Sequence, residues 1–337
     1  MLDIVTVGEA LIDLTQTFED ATNIRHYAAY PGGAPANVAV AAAKLGASTA
    51  FIGKVGCDTF GKSIKRMLYD NHVDVTGLYE VPLIPTTLAV VSADPGGERD
   101  FSFYRTPGAD TLLTCTEAVQ ALHTLKEAPV FLHFGSVSLA AEISRSAVLG
   151  VARYARTSGI LLSYNPNYRA SLWPDRETAV EQIKVPLELC DVLKLAEEEL
   201  ELLTGTNSTV EGSRQLYLEY RIPLIVVTQG SKGTFYRFGD RTGHIAAWPV
   251  KAIDTSGAGD TFLGALLHLL ARHIDGSVHK LSQEQLEQDL CFANRAAALT
   301  CTRAGAIPAM PTLDELVSKQ GRHAGWSGNQ TAWLPPQ

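Results

Sequence analysis

From Pro129 onward, strand-like and helix-like segments alternate, and this order narrows the possible folds more than any other feature of the chain. Residues 130–134 read as a strand, 140–157 as a helix, 160–164 as a strand and 176–188 as a helix. Strands at 192–195, 224–228 and 234–237 follow, with an acidic helix at 197–203 between the first two of them. Two long helices, 258–272 and 283–301, end the series. Such alternation predicts an α/β fold: a mostly parallel sheet with helices on both faces. Ligands of these sheets bind at the carboxyl ends of the strands.

The first third of the chain is less regular. Residues 3–9 have the pattern of a buried strand, and 11–17 continue it with polar alternation. A turn at 31–35 precedes an Ala-rich helix, 36–45, closed by Gly46. A strand at 48–55 leads into a helix at 59–71. Two strand-like segments, 87–92 and 100–104, flank Asp94-Pro95-Gly96-Gly97, a hairpin signal. The hairpin breaks the strand–helix rhythm, so with residues 12–30 it is expected to form a small separate sheet. Past residue 319, Gly, Ser, Asn, Gln and Pro dominate. This predicts a loose tail over 321–337 behind a folded domain of residues 1–320.

Composition excludes several partners. The 337 residues are 46% hydrophobic and 19% charged, with a net charge of −8 and no basic tract. Nucleic acid and anionic membrane are therefore not expected to bind, and no apolar run reaches spanning length. Cys57, Cys115, Cys190, Cys291 and Cys301 are scattered without a C-x-x-C pair. That fits a reduced cytoplasm better than secretion, and no zinc site is visible. The strand-like N-terminus lacks the features of a signal peptide.

The chemistry is expected at Asp254-Thr255-Ser256-Gly257-Ala258-Gly259-Asp260-Thr261-Phe262. Small residues there run into an apolar helical pattern, so a tight turn should feed a helix N-terminus. Unpaired backbone N–H groups and the helix dipole favour an anion such as a phosphate at that point. Gly257, Ala258 and Gly259 lack the bulk that would keep a phosphate from the backbone. Asp260 falls in the first turn, where a carboxylate can take a proton from an attacking hydroxyl. The competing reading is a glycine turn followed by an aspartate that only complements the dipole.

This stretch resembles the C-terminal signature of the ribokinase-like (PfkB) carbohydrate kinases. Gly32-Gly33-Ala34-Pro35-Ala36-Asn37-Val38-Ala39 resembles the family's other signature, in the expected order. The resemblance runs from Val5 to about Pro311. Phe103 to Asp110, Asn165 to Arg169, Val227 to Gly233, Phe292-Ala293-Asn294 and Gly305 to Ala309 are similar to the text of the fructokinase members. It implies a Rossmann-type domain with a small β-sheet lid, from about 12–30 and 87–105. The implied reaction moves the γ-phosphoryl of ATP, with Mg²⁺, to a sugar, D-fructose giving fructose 6-phosphate.

The resemblance also implies roles for individual residues. Asp260 would be the base, with Gly257, Ala258 and Gly259 as the anion hole. Asp13, Gly32, Gly33 and Asn37 would bind sugar hydroxyls, and Arg105 would lie near the sugar and the transferring phosphate. A strand-end aspartate, a helix-capping asparagine and a surface ion pair are the plainer alternatives for Asp13, Asn37 and Arg105. Thr228, Gly230, Ser231, Gly233 and Asn294 would flank the nucleotide, while Asn167, Arg169 and Lys194 approach its phosphates. Glu199 would hold Mg²⁺ through water, although the family motif's asparagine is Ala196 here. K⁺ would sit beside the anion hole, held by Asp254 and the Ser256 and Gly305 regions, with Ala309 where some relatives offer a hydroxyl. Lid strands often pair between subunits, which implies a homodimer.

Other readings remain open to test. Ribose, 2-keto-3-deoxygluconate and nucleosides are rival substrates within the family, and a non-catalytic sugar-binding relative is a rival from another class. An NAD-dependent oxidoreductase would need G-x-G-x-x-G after the first strand, and Gly8-Glu9-Ala10 does not supply it.

Overall fold

The structure, a computed structural model, describes residues 2–93, 99–274 and 276–318. Strands β1 (Leu2–Val7), β2 (Leu11–Glu19) and β3 (Arg25–Gly32) lead into helix α1 (Ala34–Lys44). Strand β4 (Thr49–Gly56), helix α2 (Thr59–Asp70) and the short strands β5 (Val73–Asp74) and β6 (Leu78–Val81) follow. The hairpin of β7 (Leu88–Ala93) and β8 (Arg99–Tyr104) precedes helix α3 (Cys115–Thr124). The regular half runs β9 (Pro129–Gly135), α4 (Glu142–Thr157), β10 (Leu161–Asn165), α5 (Arg176–Lys184) and β11 (Val192–Ala196). It continues through α6 (Glu197–Thr204), α7 (Thr209–Tyr220) and β12 (Leu224–Thr228) to a second hairpin, β13 (Gly233–Phe238) and β14 (Arg241–Ala246). Helices α8 (Ala258–His273), α9 (Gln283–Thr300) and α10 (Leu313–Ser318) close the described chain.

The main sheet has the order β14-β13-β12-β11-β10-β9-β1-β4-β5, with β6 paired to β4. Pairings from β4 to β12 are parallel, as the alternation predicts. Both faces are covered, and Ile4, Val5 and Val7 of β1 are all fully buried. Val5 and Val7 pack with Leu132, Phe134 and Val148 on one face. Ile4 packs with Phe131, Phe262 and Leu266 on the other. The small sheet has the order β3-β2-β7-β8, so residues near 12–30 and the 87–104 hairpin do come together. Residues 321–337 lie outside the described residues.

Several expected elements differ. The helix expected over 176–188 ends at Lys184 and tightens into a 3-10 turn, Val185–Leu189, because Pro186 has no N–H to continue the ladder. The helix expected from 140 begins at Glu142, behind another 3-10 turn, Val137–Leu139. Helix α7 was not anticipated, since its Gly212 and polar residues blur the apolar spacing, although Ser208 caps it by accepting from the Glu211 N–H. Strand β13 runs antiparallel to β12, so the sheet is mixed at this edge.

Candidate active site

The glycine turn forms as the backbone requires. Gly257 caps α8 with φ 72, and a Cβ there would lie 2.9 Å from Ala306 Cβ, so only glycine fits without displacement. The Ala258 N–H turns back to the Thr255 carbonyl at 3.3 Å. Asp260 stands in the first turn of α8 and accepts a 2.8 Å hydrogen bond from Asn37 Nδ2. Asn37 therefore does not cap α1, whose N-cap is Gly33. The two helices touch backbone to backbone at Gly264, where a Cβ would meet Ala41 Cβ at 2.7 Å and the Val38 carbonyl at 2.8 Å. Burial raises the Asp260 pKa. The Asn37 hydrogen bond and the charges of Lys194 and Arg169 oppose that rise, and Glu199 adds to it.

One cavity, about 330 Å³, opens on the Asp260 side of the turn and is lined by Asp13, Gly33, Asn37, Asn167, Arg169 and Glu9, among others. The Asp13 carboxylate lies across Gly32, whose Cβ would come within 2.7 Å of Asp13 Oδ2. Asn37 Oδ1 is buried without a protein partner among the described residues. Glu9 is buried in the same wall and accepts a 2.6 Å bond from Ser138 Oγ. Arg105 is no surface residue: its side chain is 5% exposed and its Nη2 lies 2.7 Å from Asp110 Oδ2, with Asp110 fully buried. Thr87 Oγ1 donates to the other Asp110 oxygen.

A second cavity, about 540 Å³, lies on the far side of the turn, lined by Thr228, Gly230, Ser231, Gly233, Ala258, Gly259 and Asn294. Asn294 accepts from Thr234 Oγ1 at 2.6 Å and donates to the Ile245 and Ala246 carbonyls, so it braces the β13–β14 hairpin along this cavity. Lys194 is buried, and its Nζ sits 3.1 Å from where a Gly259 Cβ would be, so a cation points at the turn between the cavities.

Asp254, Ser256 and Gly305 also meet. Asp254 Oδ1 accepts from the Ser256 N–H and hydroxyl, and Oδ2 accepts from the Gly305 N–H at 2.9 Å. Glu199 stands near Lys194, with Oε1 accepting from the Tyr168 N–H and Oε2 from the Ala196 N–H. Sequence reasoning overlooked Glu9 and the Trp248-Pro249-Val250 wall of the second cavity. A lone charge ending an apolar strand was the only hint for Glu9, and the Trp248 loop has no periodicity.

Two cavities thus meet at a glycine turn on a helix N-terminus with a carboxylate at the junction, an arrangement suited to passing a phosphoryl group between two bound molecules. The sequence matches the pfkB family carbohydrate kinase pattern over residues 1–313. It is 42% identical over 316 residues to Fructokinase-1 of Oryza sativa subsp. japonica, spanning 93% of this chain and 96% of that protein. The fold matches the fructokinase of Xylella fastidiosa with bound ATP at a TM-score of 0.85 and 31% identity, over 94% and 97% of the two chains. It matches the Vibrio cholerae O395 fructokinase with fructose, ADP and calcium at 0.84 and 35%, over 94% and 98%. A double mutant of that enzyme carries potassium with fructose and ADP, at 0.83 and 35% over the same shares. This chain belongs to the pfkB family of carbohydrate kinases.

Proposed function

We propose that the chain transfers the γ-phosphoryl group of ATP to D-fructose, giving fructose 6-phosphate. The position of Asp260 carries this reading: its carboxylate faces the first cavity while the turn before it borders the second. Asp13, Gly33 and Asn37 bind the sugar, the orphaned Asn37 Oδ1 accepting from a hydroxyl. ATP lies along Thr228, Gly230, Ser231, Gly233 and Asn294, with its terminal phosphate over Gly257 to Gly259. Asp260 takes the hydroxyl proton as the bond to phosphorus forms. Lys194, Arg169 and Asn167 meet the phosphates, and Arg105 holds the sugar and the transferring group.

No group of three or more His, Cys, Asp or Glu residues among the described residues could cage a metal. Both Glu199 oxygens already accept backbone N–H groups, and cationic Lys194 and Arg169 stand close by. This set does not fit direct Mg²⁺ ligation, so Mg²⁺ belongs with the triphosphate, which it neutralises. The all-oxygen cluster of Asp254, Ser256 and the Gly305 loop suits K⁺ better. The small sheet acts as a lid, and its edges pair in a homodimer. Five scattered cysteines with no C-x-x-C pair favour a reducing, cytoplasmic site of action, and no helix among the described residues is long and apolar enough to cross a membrane.

Phosphorylation assays with ATP and fructose, ribose, glucose or 2-keto-3-deoxygluconate test the reading. Fructose should give the highest kcat/KM. A rival sugar about tenfold better would reject the substrate, and turnover of none of them would reject the kinase.

A further inference from the structure

The second cavity has an apolar wall that the placing of ATP described above leaves without a role. Trp248, Pro249, Val250 and Ala252 line it, in a segment where residues 247–252 form neither strand nor helix. Helix α9 holds that segment at both ends. Asn294 Nδ2 donates to the Ile245 and Ala246 carbonyls at 3.2 and 3.3 Å. The Cys301 carbonyl accepts from the Ile253 N–H at 2.7 Å and from the Asp254 N–H at 3.3 Å. Between these two attachments the Arg295 guanidinium lies over the Trp248 ring, its carbon 4.9 Å from the ring centroid. Arg295 is 8% exposed, and its Nη2 has no hydrogen-bond partner among the described residues. A buried guanidinium is costly unless something meets its charge, and the negative face of an indole does so.

A planar indole in a cavity wall is a platform for a planar heteroaromatic ring. Its worth depends on being held still beforehand, because ordering a loop side chain on binding costs entropy. We propose that Arg295 is a positioning residue for the nucleotide: its guanidinium clamps Trp248 in the wall of the second cavity, and the indole so fixed packs against the base. The proposal deepens the kinase reading and rests on its placing of ATP in that cavity. Trp248 does not line the first cavity, so sugar binding should not sense the clamp.

Calorimetry on the full chain gives the ADP dissociation constant, and steady-state kinetics give KM for ATP and for fructose. Trp248→Ala should weaken ADP binding roughly five- to thirtyfold, the loss of one base–aromatic stack, and raise the ATP KM with it. The fructose KM should not follow. Arg295→Met keeps the length of the side chain without its charge and should weaken ADP roughly three- to tenfold. Arg295→Lys puts a cation back over the ring and should recover part of that loss. In a Trp248→Ala background, Arg295→Met should add nothing further. ADP should also quench tryptophan emission. The chain has four tryptophans, so Trp248→Phe, which keeps a ring for the base, tells which of them responds. Unchanged ADP affinity in Arg295→Met, effects that add to those of Trp248→Ala, or a quench that survives Trp248→Phe would each overturn the proposal. If Arg295→Met does not fold, unchanged ADP affinity in Trp248→Ala overturns it instead. An unaltered chain that binds no ADP would overturn the kinase reading together with the proposal, whereas normal binding that ignores both variants overturns the clamp alone.

Discussion

Replacing Asp260 with asparagine removes the proton acceptor but keeps an oxygen for Asn37 Nδ2 to bond. Asp260→Asn is expected to lower kcat roughly 10²–10⁴-fold, the range for a positioned base, with ATP binding nearly unchanged. Turnover within a few-fold of the unaltered chain would remove Asp260 from that role. Because burial raises its pKa above the ordinary 3.8, the acid limb of the kcat/KM profile should lie above the usual aspartate range. Activity then falls as pH drops through that raised value, since the ionised form is the base. Glu9 gives a stability test of its own. Its pKa rises from 4.5 to about 7 on folding, so the fold holds a proton that the unfolded chain has released across that window. Stability should therefore fall as pH rises from 4.5 to about 7, by on the order of 3 kcal/mol, and then level off. Denaturant melts of Glu9→Gln should lack that slope. Asp260 was legible in the sequence because a glycine turn before a helix is a local signal. The environment of Glu9 was not, because Ser138 reaches it from a distant part of the chain.

Between elements, the contact of α1 with α8 decides whether the site exists. Gly264 lets the backbones touch, and that approach brings Asn37 to Asp260. Gly264→Ala places a methyl group against Ala41 and the Val38 carbonyl, so it should cost about 1–3 kcal/mol of stability and raise the fructose KM. Denaturation midpoints and steady-state kinetics check both effects. An unchanged KM in a destabilised variant would mean that the contact serves packing alone. The sequence reading marked both helices but offered no reason to pair them, since their apolar faces fit many partners. Likewise α7 escaped notice because Gly212 and its polar residues weaken the periodicity on which helix recognition depends.

The small sheet sets the behaviour of the assembled protein. If it closes over bound sugar, hydrogen exchange at residues 87–93 and 99–105 should slow when fructose is added. No slowing at saturating fructose would rule out closure. Ile24, 58% exposed in the β2–β3 turn, and Phe18, 55% exposed on β2, are large apolar side chains that the small sheet leaves in solvent. Sedimentation should find a dimer that Ile24→Glu shifts toward monomer, and a monomeric unaltered chain would refute the pairing. The class of fold, the second small sheet and the glycine turn before α8 were readable from residue order, because each follows from local periodicity or from glycine's backbone freedom. The pairing of Asn37 with Asp260 across 223 residues, the burial of Arg105 against Asp110 and the placing of Glu9 in the wall of the first cavity were decided only by packing. Contacts of that length depend on which helix faces meet, and local sequence pattern does not encode that choice.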